Sequence, residues 1–252
     1  MLVPYPKGNY SFLRGIAPYS AGVRADSGYE IVHARLHRPV SLREGFQFLR
    51  QHLAANGRPV HALCGMELRS SCPFTFDGFR EFNTGYVHAL KELGIITDES
   101  NPVARTNIAP EIDPPAEPSL YGFSYTVNSD ASRTSFVIAG AGELPEGSLA
   151  ANDVVRSGDT SIDGLREKVR FVMSLMSGRL SGIGAGWEAV TATNMYTVHP
   201  VCGVLADEII RPMGQSAEHG LTWHYSRPPI ATIEYEMDLR GVSRELILDV
   251  ER

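Results

Sequence analysis

No apolar run in this 252-residue chain reaches the roughly 18 residues that a bilayer-spanning helix needs, which excludes a helical membrane protein. The N-terminal stretch MLVPYPKGNYSFLRG lacks an apolar core segment and a small-residue cleavage site, so it reads as no signal peptide, and a cytoplasmic location is the default expectation. Cysteine is scarce. The three residues Cys64, Cys72 and Cys202 are odd in number, fall at no zinc-type or CxxC spacing, and read as reduced thiols rather than a disulfide framework. Positive charge is not in excess either: the formal net charge is -6 and the pI near 5.8, which argues against duplex DNA or RNA as the main partner and for a small-molecule substrate. The eight histidines form no ligand set. His33 and His37 stand at a strand end and His219 and His224 five apart, with no third ligand in view, so no metal is expected. Cys202 near His199 lacks an orienting partner and reads as a small buried thiol.

What the chain does have is an order of elements that occurs twice. GYEIVHARL reads as a strand. SLREGFQFLRQHLAANG reads as a helix, with Ser41 and Glu44 as a capping box, Phe48, Leu49, His52 and Leu53 at helical spacing, and Gly57 as a left-handed stop. VHALCGMELRSS is a strand, DGFREFNTGYVHALKELG a helix with Asp77 as N-cap, and PVARTNIAPEI and SLYGFSYTV are strands. After a polar linker near residues 128–134 the order resumes with strand TSFVIAGAGEL, helix TSIDGLREKVRFVMSLMSG, strand EAVTATNMYTV, helix PVCGVLADEIIRPMG, and strands in SRPPIATIEYEMDL and VSRELILDV. Ser41 to Arg105 spans 64 residues and Ser161 to Arg227 spans 66, so the repeat is of domain size rather than a short solenoid unit. The glycine-rich GRLSGIGAGW is expected to be a flexible connection. It follows a helix and precedes a strand, the reverse of a phosphate-binding loop. The fold class expected is α+β: two tandem domains, 1–128 and 129–252, each a mainly antiparallel sheet with two helices on one face.

The words in that order resemble the Rid/YjgF (RidA-like) family of reactive-intermediate deaminases. APYSAGV is similar to the family's opening segment, REFNTGYVHAL to its Asn-containing helix, and PVARTNIA to its P-A-R-[ST] motif. In the second copy FVIAGAGEL resembles the strand ending in S-G-Q, and SRPPIATIEYEMDLRGVSRELILDV the closing arginine-to-glutamate segment. The resemblance implies a chorismate-mutase-like (YjgF-type) fold in two copies. It also implies a homo-oligomer, a trimer or related closed ring, with clefts between neighbouring units.

The activity it implies is hydrolytic deamination of a small enamine or imine carboxylate, a 2-imino acid or aminomuconate-type compound, by water attack on the imine carbon, with no cofactor. Arg227 and Glu245 then take the catalytic positions, because a guanidinium fork holds a carboxylate with two bonds and a carboxylate can activate water. Arg105, Tyr19, Gly140, Gly142 and Trp223 are the substrate-binding expectations, the glycines because they admit a ligand to the backbone. The first copy carries Arg105 but places Gly122 where the family has its glutamate. Two alternatives stand beside this reading: a non-catalytic module that binds small carboxylates, and a chorismatase-like carboxylate reaction on the same scaffold.

Overall fold

The computed structural model describes residues 1–96 and 100–250. Two sheets lie face to face with helices outside them. The first, six-stranded, is built around β4 (Tyr29–Ser41), β5 (Leu63–Arg69), β6 (Ala104–Pro110) and β7 (Ser119–Asn128), and carries α1 (Leu42–Ala55) and α2 (Phe76–Glu92). The second, seven-stranded, is built around β8 (Phe136–Gly142), β9 (Ala192–Tyr196), β10 (Thr222–His224) and β12 (Glu236–Gly241), and carries α3 (Ile162–Gly182). Alternation assigns the faces. Along β4, Val32, Ala34 and Leu36 join the cluster under α1 and α2 with Leu49, Leu53, Phe123 and Leu90, while Ile31 and His33 point to the other sheet. Under α3 the core is Val169, Val172, Met176 and Leu180 against Phe136, Met195, Met237 and Leu239.

The order β6-β5-β7-β4 in one sheet recurs as β10-β9-β12-β8 in the other, each with one parallel pair, β5–β6 and β9–β10. Both sheets are therefore mixed. The edge strands cross the midpoint of the chain. The N-terminal strands β1 (Leu2–Tyr5), β2 (Tyr10–Leu13) and β3 (Gly22–Ala25) extend the second sheet through β3–β8. From the C-terminal half, β11 (Ser226–Arg227) pairs with β6 and β13 (Arg244–Leu248) with β4.

Three local expectations change. Thr75, not Asp77, caps α2 by accepting from Gly78 N; Asp77 sits in the first turn, where its charge faces the positive end of the helix. GRLSGIGAGW is not a flexible connection in its first half: α3 runs on through Gly178 and Gly182, and Gly184, at φ +75°, completes the turn after its end. Burial of Met176, Arg179 and Leu180 along one stripe outweighs the cost of about 1 kcal/mol for each helical glycine. The expected helix over PVCGVLADEIIRPMG forms without a break over 202–213, with a π-helical stretch at Leu205–Ile210 between Cys202–Val204 and Arg211–Met213, but Cys202, expected to be buried, is exposed at its start. No described helix is long and apolar enough to cross a membrane.

Candidate active site

The internal repeat does not pair Arg105 with Arg227. In the second sheet the strand that holds the place of β6 is β10, so Trp223 and His224 stand where the first sheet has its arginine segment. Arg227 lies instead on β11 at one edge of the six-stranded sheet, half exposed, its fork already engaged by Glu111 through Nε–Oε2 at 2.6 Å and a second nitrogen to Oε1 at 3.0 Å. Glu245 lies on β13 at the opposite edge of that sheet and accepts from Arg240 Nε at 2.6 Å. Partial burial raises the Glu245 carboxyl, but the bond and charge of Arg240 bring it below its ordinary value. The expected catalytic pair is thus separated by four strands within one chain. Trp223 is partly exposed, donates Nε1 to Thr197 O at 2.9 Å, and is not among the residues that line the pocket of Arg105 described below.

Arg105, Tyr19, Gly140 and Gly142 do meet, in one pocket at the junction of the two sheets. Its walls are the loop carrying Gly15 to Tyr19, the loop Gly142–Leu149 that follows β8, and the segment before β12 with Pro229, Ile230 and Ile233. β6 presents Arg105 and Asn107 on one face. The Arg105 guanidinium is buried, only 2% exposed, yet Nε and both terminal nitrogens have no hydrogen-bond partner among the described residues. Aromatic rings surround it: Tyr19 and Tyr86 lie 4.6 and 4.7 Å from its central carbon, with Phe79 and Phe82 at 5.6 Å. Burial lowers its pKa, against the opposing pull of Tyr86, Tyr19 and Glu236, but a guanidinium starts so high that it stays charged at neutral pH. A buried cation with three free donor groups beside a cavity has the chemistry to receive an oxyanion. Asn107 adds another free donor: its Oδ1 accepts from Ser70 Oγ at 3.0 Å, while Nδ2 is unpartnered among the described residues.

Glu236 closes the other side. It is the first residue of β12 and faces Gly140, where a Cβ would overlap its Oε1. Gly140 therefore makes room for a carboxyl group, a more specific task than the ligand approach expected of it; a Cβ at Gly142 would instead collide with Ile233 Cγ2. Burial pushes Glu236 well above the usual carboxylate range, and Asp238 adds to the push while Arg179 and Arg105 oppose it. The group is a buried acid in a pocket with two guanidinium groups, a pattern that fits proton transfer. Tyr19, raised mainly by burial, stays a phenol.

The second guanidinium is that of Arg179. It donates to Ala139 O at 2.8 Å and to Glu146 Oε1 at 2.6 Å. Glu236, Arg179, Asn107 and Glu146 line this candidate site, and sequence reasoning missed them. For Glu236 a signal exists, since EYEMDLR alternates charged with apolar residues, but by itself such alternation reads as a solvent-facing charged side. For Arg179 the glycines around it hide the helix.

The start of β12 is held by Glu143, which accepts from Glu234 N at 2.6 Å and Tyr235 N at 3.1 Å and pairs with Lys168 Nζ at 3.0 Å, both side chains fully buried. Removing the cation leaves a buried carboxylate uncompensated. Lys168→Met is expected to lower the unfolding free energy by about 3 kcal/mol, read by urea titration. A change below about 1 kcal/mol would contradict this anchoring role. Among the described residues no group of three or more His, Cys, Asp or Glu is placed to hold a metal ion.

The chain is 46% identical over 249 residues, 98% of each sequence, to a 2-amino-5-chloromuconate deaminase from Comamonas testosteroni. A solved chorismatase structure superposes with a TM-score of 0.49 at 14% identity, over 88% of this chain and 77% of that one, a likeness too loose to bear on fold or reaction. Residues 2–246 match the family described as 2-aminomuconate deaminase CnbZ, and the chain belongs to that family.

Proposed function

We propose that this protein is a deaminase that hydrolyses the C–N bond of a 2-aminomuconate-type enamine, releasing ammonia and a keto acid, in the pocket of Arg105 and Glu236. The observation that carries the reading is the unpartnered, buried Arg105 guanidinium sharing a cavity with the Glu236 carboxyl, whose pKa burial raises. The family and the 46% identical relative support an aminomuconate as the substrate class.

Each residue has a step that balances. Arg105 holds a substrate carboxylate through its fork, and Asn107 Nδ2 adds a donor. Glu236 gives its proton to the enamine carbon, which turns the amine-bearing carbon into an electrophilic iminium. The resulting carboxylate takes a proton from water as the water oxygen bonds to that carbon. Glu236, protonated again, delivers the proton to nitrogen. The C–N bond breaks, ammonia leaves, and the carboxylate removes the hydroxyl proton to give the carbonyl. The carboxyl begins and ends protonated, so a raised pKa suits the whole cycle. Rings around Arg105 keep water from its guanidinium and strengthen its attraction for the carboxylate.

All of these residues come from one chain. The ring of copies that the Rid resemblance implies is not needed to complete this pocket, and the recurrence of strand order supports reading the two sheets as tandem Rid-like halves.

Freshly generated 2-aminomuconate should yield one ammonia per substrate consumed, measured by a coupled ammonia assay. In the same assay Arg227→Ala and Glu245→Gln are expected to stay within about threefold of the native kcat/KM, since both side chains sit in ion pairs of the partly exposed kind. Loss of activity in either variant with the fold intact would move the chemistry to the sheet edges; no ammonia from the native chain would refute the reading.

A further inference from the structure

We propose that Arg179 selects dicarboxylates over monocarboxylates, and that Glu146 is an internal carboxylate which the substrate's second carboxylate displaces. The inference deepens the deaminase reading and rests on it for the identity of the pocket. Arg179 lines the same cavity as Arg105 and Glu236. Its guanidinium is anchored by Ala139 O and, more weakly, by Gly140 O at 3.4 Å, which fixes its position without neutralising it. Its one anionic partner among the described residues is Glu146, through Nε–Oε1 at 2.6 Å.

The two members of that pair differ in burial. Arg179 is 8% exposed and Glu146 47% exposed. A carboxylate that water reaches contributes little in such a pair and gives way readily to another carboxylate that arrives already desolvated in the pocket. Glu146 also stands on the loop after β8, between Pro145 and Gly147, the latter at φ +81°. Its half-exposed side chain has room to rotate into solvent about its own bonds, a movement that involves neither β8 nor α3. The charge balance points the same way. A monoacid satisfies Arg105 and leaves Arg179 to Glu146, whereas a diacid supplies an oxyanion to each guanidinium.

The test is binding, which separates it from catalysis. trans,trans-Muconate and sorbate share a carbon chain, but sorbate has a methyl group in place of the second carboxylate, and neither carries an amino group to be hydrolysed. Calorimetry on the native chain is expected to show muconate binding roughly 30-fold tighter than sorbate. Arg179→Met should reduce that ratio to about threefold or less, and Arg179→Lys should restore part of it. Glu146→Gln, at an exposed loop position where folding is not at issue, should tighten muconate by roughly three- to tenfold and leave sorbate unchanged. Thermal melting of each variant establishes that it is folded.

A native chain without preference for muconate, an Arg179→Met variant that keeps the preference, or a Glu146→Gln variant with unchanged or weaker muconate binding overturns the proposal. Should the native chain release no ammonia yet show a preference that responds to Arg179 and Glu146, the deaminase reading falls and the dicarboxylate site stands. Ammonia release with no such response leaves the deaminase standing and removes the dicarboxylate site.

Discussion

Glu236→Gln is expected to lower kcat for ammonia release by about 10³-fold while leaving the protein at least as stable as the native chain. Glutamine keeps the shape beside Gly140 but can neither give nor take the proton that the enamine carbon and the water need. Stability moves the other way because the folded pKa of Glu236 lies well above that of an exposed carboxyl. For an acid so shifted, its favourable contribution is complete below the unfolded value and is lost as pH rises through the folded value, where ionisation inside the pocket opposes folding. The amide of the Glu236→Gln variant cannot ionise, so its advantage over the native chain should grow with pH. Urea titrations at pH 5 and pH 9, run beside the ammonia assay, measure both. A variant that keeps a tenth of the activity, or whose relative stability falls with rising pH, would remove Glu236 from the mechanism.

Arg105→Met should cost about 10³-fold in kcat/KM, and Arg105→Lys about 10²-fold, because lysine keeps the charge but loses the two parallel bonds. Here too the structural cost is small. The native guanidinium is buried with no hydrogen-bond acceptor among the described residues, so replacing it with an apolar side chain of similar length removes an unpaired charge from among four aromatic rings. Melting temperature is expected to hold or rise. If Arg105→Met instead unfolds the protein while Arg105→Lys retains full activity, Arg105 is a packing residue and the receptor for the carboxylate lies elsewhere.

Local signals in the sequence are legible where one element decides its own form. The capping box of Ser41 and Glu44 forms as spaced, and the apolar stripe of α1 faces β4 and β7 as its period requires. The register between distant halves is not legible. Arg227 matches a motif word and a spacing, but a two-residue strand that pairs across to β6 gives it Glu111 and an edge position. Nothing local to SRPPIAT records that pairing. Glu236 is hidden for a different reason: charged residues alternating with Met237 and Leu239 look solvent-facing unless a second sheet covers that face, and here one does. Arg179 needs a helix that continues through two glycines, which propensity alone argues against.

The exchange of edge strands decides whether the chain can be divided. Tyr19 and Arg105 come from before the polar linker, and Arg179 and Glu236 from after it, while β1 to β3 and β11 and β13 tie each sheet to the opposite half of the chain. Neither half holds all four of these pocket groups, and neither sheet is complete without strands from its counterpart. A chain divided at the linker would therefore leave two fragments, each with an unfinished sheet edge and half a pocket, so the halves can be made or lost only together.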